Sequence, residues 1–166
     1  LRSLALLDTS AHRESRRKLP SYHVMAFIAR RFGAIAPLLD RLQPLFLTEE
    51  TRRTRPDVLR EFRDHIARMD PASIGHAVDA VIFHREDIRH RLGEITAPTL
   101  VMVESEDVAT PPARAREIAA GIPGATLIEV PGAAHLSALD RPDAVTEALT
   151  AFFDDVRSSE RTGRDA

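Results

Sequence analysis

Two short apolar runs in the last third of the chain carry its most readable pattern. Thr99-Leu-Val-Met-Val103 and Ala125-Thr-Leu-Ile-Glu-Val130 are rich in aliphatic and β-branched residues and are bounded by Pro and Gly. Each predicts a strand of a parallel sheet. Between them Thr110-Pro111 predicts a helix start, with Thr as N-cap and Pro at the first position, and Gly121 predicts a left-handed helix end. The three together make one βαβ unit. A third apolar run, Leu4-Ala-Leu-Leu7, predicts another strand close to the N-terminus.

The stretch between the first strand and the βαβ unit lacks period-two alternation and is predicted helical throughout, over residues 11–93. Val24, Phe27, Ile28 and Phe32 share one helix face, and Ile35, Leu38, Leu39 and Leu42 share another that Pro44 is expected to break. Val58, Leu59, Phe62 and Ile66 form a third stripe, and Ile74 to Phe83 a fourth. Asp70-Pro71 predicts a helix start, which makes Ser73 a first-turn residue. The organisation expected is a core strand over 1–10, a helical insertion over 11–93, and a return to the sheet over 94–156. That last region closes with a helix begun near Asp140 and Pro142. Residues 157–166 are polar and predicted to be a disordered tail.

Chemistry is concentrated at the strand ends. Asp107 follows the Thr99–Val103 run, and His135 follows the Ala125–Val130 run in Pro131-Gly-Ala-Ala-His135. Open α/β sheets bind ligands at that edge. Neighbouring strands lie about 4.8 Å apart, so side chains leaving adjacent ends can hydrogen-bond directly. A carboxylate holding the Nδ1 proton of His135 would fix the tautomer, make Nε2 the basic nitrogen, and stabilise the imidazolium formed on proton uptake. Taken singly, Asp after a strand is usually a turn former or helix cap, and His in a loop is usually solvated. Their matched placement, one crossover apart, favours an acid–base pair.

Ala97-Pro-Thr-Leu-Val-Met-Val103, Glu106-Asp107-Val-Ala-Thr-Pro-Pro112, Ile122-Pro-Gly-Ala125, Pro131-Gly-Ala-Ala-His-Leu-Ser137 and Leu139-Asp-Arg-Pro142 together resemble the C-terminal part of α/β-hydrolase-fold enzymes. The resemblance is to the esterase and enol-lactonase-like branch and runs from Ile95 to Phe153. Leu4-Ala-Leu-Leu-Asp-Thr-Ser10 resembles the sixth strand of that fold. It implies an α/β class, with parallel strands six to eight, flanking helices and an all-helical cap inserted after the sixth strand. Met25, Phe27, Phe46 and Leu47 are candidates to line a cap pocket, with plain helix packing the commoner use of such residues. By resemblance Asp107 is the triad acid and His135 the triad base, with Asp8, after the sixth strand, as the second candidate for the acid. Glu104 stands where relatives often have Gly, and Ala134 where Gly is common.

The activity implied is acyl-enzyme hydrolysis of a carboxylic ester or lactone. The nucleophile elbow G-x-S-x-G is not in this sequence: Pro71-Ala-Ser73-Ile-Gly75 lacks the first Gly and follows no strand. Ser105 and Ser137 flank the acid and base without an elbow. The expectation is therefore a C-terminal portion, inactive alone, that needs an N-terminal half carrying the Ser and oxyanion hole, as a separate chain or a cleaved segment. The start at Leu1, already within a strand, accords with this. The alternatives are a catalytically inactive fragment or binding module, or a same-fold haloperoxidase-like, C–C hydrolase or dehalogenase activity.

Composition narrows the remaining classes. Acidic residues number 25 against 23 basic, a net charge of −2, which argues against nucleic acid as a partner. The basic clusters Arg13–Lys18 and Arg52–Arg55 read as solvated helix faces. With no cysteine, disulfides, thiol catalysis and Cys-based metal sites are excluded. His84 and His90 are six residues apart and fall on different helix faces, so no metal and no cofactor are expected. No apolar run approaches the roughly 20 residues of a membrane span. A cytoplasmic setting is the expectation, and a homo-oligomer is left open.

Overall fold

A computed structural model describes residues 1–162. In chain order the elements are β1 (Leu4–Leu7), α1 (Leu19–Phe32), α2 (Ala36–Phe46), α3 (Glu49–Thr54), α4 (Pro56–Ala67), α5 (Pro71–Val78), β2 (Thr99–Glu104), α6 (Pro112–Gly121), β3 (Thr126–Val130), α7 (Ser137–Asp140) and α8 (Pro142–Thr162). A π-helical segment, Asp79–Phe83, follows α5, and a 3-10 helix, Arg89–Glu94, precedes β2. The chain divides into two compact units. Among the described residues, one comprises 1–10 with 89–162; the other runs from Ala11 to Ile88.

The first unit holds a three-stranded parallel sheet in the order β1-β2-β3. Leu7 is in register with Met102, and Glu104 with Val130. All six residues of β2 are buried, because it alone has a strand on both edges. Leu100 and Met102 join Val130, Ala133 and Val145 in one apolar cluster, against which Leu149 and Phe152 of α8 pack. Helix α6 packs on β2 and β3 and buries Ala115 and Ile118. The ladder runs past the strand ends: the Asp8 amide donates to Met102 O (3.1 Å) and the Ser105 amide to Val130 O (3.0 Å). These bonds hold the strand-end loops at one edge of the sheet.

Local details depart from the sequence expectation at four places in this unit. Helix α6 begins at Pro112 with Pro111 as its cap residue, and no side chain caps it; Thr110 directs its hydroxyl elsewhere. Gly121 is not a left-handed cap. It is the last helical residue, and a Cβ there would lie 2.8 Å from Leu92 Cδ1, so close approach explains the glycine. That buried Leu92 contact ties the 3-10 helix to this unit, which moves the boundary from the expected 93/94 to Ile88/Arg89. Residues 157–162, expected in a disordered tail, continue α8, and Glu160 pairs with Arg2; residues 163–166 of that tail lie outside the described residues.

The second unit is helical, and Leu38, Leu39, Leu47, Val58 and Phe62 are buried in it with Ala11, Ala26 and Ala29. Its two ends are joined by the Ile88 amide donating to Ala11 O at 2.9 Å. In α1 the stripe expected to pack is turned outward: Val24, Phe27 and Phe32 are 60%, 64% and 59% exposed, and small Ala26 and Ala29 are buried instead. Pro44 does not break α2. It falls in the last turn, where the lost N–H affects a single bond, and the helix ends at Phe46. Asp70 caps α5 by accepting from Ser73 N (2.9 Å) and Ser73 Oγ (3.1 Å). Ser73 is thus a capped first-turn residue.

Candidate active site

Asp107 and His135 meet. The chain leaves β2 through Glu104 and turns at Ser105-Glu106, where the Asp107 amide donates to Glu104 O (3.2 Å). It leaves β3 at Val130 and passes Gly132, whose φ of 67° is left-handed backbone; a Cβ there would also lie 2.8 Å from Arg141 Nη2. The left-handed turn favours glycine, and the Arg141 guanidinium, which donates to Gly132 O at 2.9 Å, lies close over it. The imidazole Nδ1 then sits 2.9 Å from Asp107 Oδ2.

Both partners are locked. Asp107 Oδ1 accepts from the amides of Ala109 (2.8 Å) and Thr110 (2.9 Å), and Oδ2 accepts from Thr110 Oγ1 (2.8 Å) as well as from His135. The Thr110 hydroxyl, predicted as a helix cap, instead serves this carboxylate. On the histidine side, the Ala134 amide donates to Asp140 Oδ2 at 2.8 Å, the Glu106 amide to Ala133 O at 3.1 Å and the Gly132 amide to Ser105 Oγ at 3.1 Å. Ser137 Oγ donates to Asp8 Oδ2 at 3.1 Å. Ser105 and Ser137 are therefore bracing groups of the histidine loop. Thr110 and Asp140 escaped the sequence reading, although the spacing Asp-x-x-Thr after a strand is the signal of a side chain closing a loop on its own backbone.

Electrostatics match this geometry. Burial alone would push the Asp107 carboxyl up, but the bonds from His135 and Thr110 outweigh it and hold it below the usual carboxylate range. Burial pulls the His135 imidazole down, yet the Asp107 bond and charge, with the Asp8 charge, raise it above its ordinary value. The pair is thus Asp⁻ with an imidazole more basic than a free one, its Nδ1 occupied and its Nε2 the nitrogen for proton transfer. The His135 side chain is 22% exposed, so that nitrogen's ring is accessible while Asp107 is sealed.

Asp8, the second candidate acid, sits at the end of β1 in left-handed backbone (φ 48°), which Asp tolerates better than most residues. It bonds Ser137; Asp107 is the carboxylate on the imidazole. Burial, chiefly, pushes Asp8 up to about 6. A carboxyl raised in the folded state binds its proton more tightly than in the unfolded chain. Its contribution therefore favours folding below about pH 4 and is lost as pH rises toward 6. Asp8→Asn should stabilise the fold at pH 8 by on the order of 1 kcal/mol, after allowing for solvent screening of a partly exposed group, and so raise the melting temperature, with no gain at pH 4. Thermal melts at the two pH values check this; equal shifts at both would overturn it.

Asp8, Glu104 and Asp107 bring carboxylate oxygens within 4.8 Å of one another. Such an all-oxygen set suits a hard cation, but Asp107 already accepts four hydrogen bonds and has no lone pair to give one.

An α/β-hydrolase family model described as "TAP-like protein" matches residues 83–164. Over 64 residues the chain is 41% identical to the "Putative non-heme bromoperoxidase BpoC" of Mycobacterium tuberculosis, a match that covers 39% of this chain and 24% of that protein. Among solved structures it is similar to a thermophilic esterase from Thermogutta terrifontis with malate bound, at 28% identity and TM-score 0.86 over 94% of this chain and 57% of that one. It is also similar to the enol-lactonase from Burkholderia xenovorans LB400, at 29% identity and TM-score 0.83 over 93% and 56%. The family model and these solved structures are α/β-hydrolases, and the chain has the architecture of the C-terminal part of that fold. It spans little more than half the length of the solved structures it matches. Among the described residues no helix is long and apolar enough to cross a membrane.

Proposed function

We propose that this chain supplies the acid and base of a serine-hydrolase triad that acts on a carboxylic ester or lactone through an acyl-enzyme. The 2.9 Å Asp107–His135 contact carries the reading. Asp107 holds the Nδ1 proton, so His135 Nε2 removes the proton of a serine hydroxyl as it attacks the substrate carbonyl. The imidazolium, stabilised by Asp107, then protonates the departing alcohol. In the second half-reaction His135 activates water and regenerates the serine. The nucleophile and the amides of the oxyanion hole lie on an N-terminal segment of the fold that this sequence does not include.

The likenesses to an esterase and an enol-lactonase support the ester or lactone class. The 41% match to a protein named as a bromoperoxidase favours one further reading on the same residues: hydrogen peroxide replaces water in the second step, and the acyl group leaves as a peracid.

A fluorophosphonate probe applied to this chain joined with a nucleophile-bearing segment tests the proposal. Labelling of one serine, on the added segment, is expected, along with turnover of simple esters or lactones. A folded assembly that neither labels nor turns over would instead identify a module without catalysis.

A further inference from the structure

Glu104 is the last residue of β2 and is 0% exposed, yet neither of its carboxyl oxygens has a hydrogen-bond partner. Burying an ionised carboxylate without donors is prohibitive, and such a group takes up a proton instead. One other oxygen nearby is in the same position: Asp8 Oδ1 is buried and without a partner. The Glu104 carboxyl lies within 4.8 Å of those of Asp8 and Asp107, and Asp107 already accepts from Ala109, Thr110 and His135. A single proton on Glu104, donated to Asp8 Oδ1, satisfies both orphaned groups at once.

We infer that Glu104 is a positioning residue, held as a neutral carboxylic acid whose proton is donated to the Asp8 carboxylate, and that this pair braces the histidine loop from behind. This inference rests on the hydrolase reading for its purpose but not for its chemistry. Asp8 Oδ2 receives the hydroxyl of Ser137, two residues beyond His135. A polar chain therefore runs from the end of β2 through the end of β1 to the loop that carries the base. The titratable groups beside Glu104 are Asp8, just after β1, and Asp107, from its own strand-end loop; His135 is reached through the charge of Asp8. Its β3 register partner is apolar Val130. Keeping Glu104 neutral leaves Asp8 as the anion whose field reaches His135. Two charged carboxylates at that spot would repel each other and Asp107.

Infrared spectra of the full chain at pH 8, where Asp8 is ionised, test the protonation without any variant. A carboxylic-acid C=O band is expected in the wild type and should vanish in Glu104→Gln. Carbon-13 titrations of Asp8 and His135 test the connection. Glu104→Gln, a neutral donor of the same shape, should leave both within about 0.3 pH unit of wild type. Glu104→Leu removes the donor and should move the Asp8 titration upward and the His135 titration downward. In the assembled enzyme Glu104→Leu should lower kcat about tenfold with KM little changed, and Glu104→Gln should restore it.

Three results would overturn the inference. The first is absence of the acid band at pH 8. The second is a His135 titration that falls by about a unit in Glu104→Gln, the mark of a lost negative charge. The third is a melting temperature raised by Ca²⁺ or Mg²⁺ in wild type but not in Glu104→Gln, the mark of a cation site. Failure of ester turnover with the infrared and titration results intact would remove the hydrolase reading and leave the proton assignment standing.

Discussion

His135→Ala should lower kcat for ester or lactone turnover by on the order of 10⁴-fold or more in the assembled enzyme, with a far smaller change in KM. The imidazole is the group that the structure aims outward from the acid, and no second base replaces it. Lys, Tyr and Cys are absent from the loop 131–137, and of the carboxylates nearby Glu104 is fully buried while two others are bonded within the loop. Asp140 accepts the Ala134 amide, and Asp8 accepts the Ser137 hydroxyl. The loss is expected in the chemical step and not in folding. Asp107 keeps three of its four donors in the variant, and the loop keeps its backbone bonds through Glu106, Ser105 and Arg141. Steady-state kinetics beside a thermal melt separate the two. A variant that melts close to wild type and still turns over within a few-fold would remove the triad reading.

Asp107→Asn carries the second large effect, for a reason that lies in the hydrogen-bond geometry. Asp107 Oδ1 accepts two backbone amides, so an asparagine must place its own oxygen there. Its NH₂ then occupies the Oδ2 position, facing His135 Nδ1 and the Thr110 hydroxyl. Two donors cannot share that line, so the imidazole is driven to the tautomer with its proton on Nε2. The nitrogen meant to receive the serine proton is then already protonated, and kcat should fall by about 10⁴-fold near neutral pH. The His135 titration should also move down, since the Asp107 bond and charge are what raise it against the opposing effect of burial. In the wild type the raised imidazole should place the acid limb of the rate profile above about pH 6.5, the ordinary histidine value. Its stabilising contribution is present below that value and lost as pH climbs through the folded-state titration. Rates within tenfold of wild type in Asp107→Asn would mean that a different group orients the base.

Part of the candidate site is legible in the sequence. Asp107 and His135 stand out because strand ends are written locally, by apolar runs punctuated with Pro and Gly. The partners of these residues were less legible. Thr110 looked like a helix cap because Thr before Pro usually is one, and it serves Asp107 because that carboxylate lies three residues back with an open lone pair. Gly121 looked like a helix terminator, whereas its reason is Leu92, nearly thirty residues earlier. The α1 stripe was sound as a periodicity yet faces outward, since a helical repeat tells which residues share a face and not which face is covered.

The sequence by itself determined the parallel strands, the helical insertion, and the carboxylate and imidazole at neighbouring strand ends, because each depends on periodicity and turn chemistry within a dozen residues. Tertiary structure alone decided which carboxylate takes the imidazole, that Asp8 turns to Ser137 across 129 positions, and that Glu104 is sealed without a partner. Those outcomes depend on how many donors reach each buried oxygen, and the donors come from segments that only the sheet brings together.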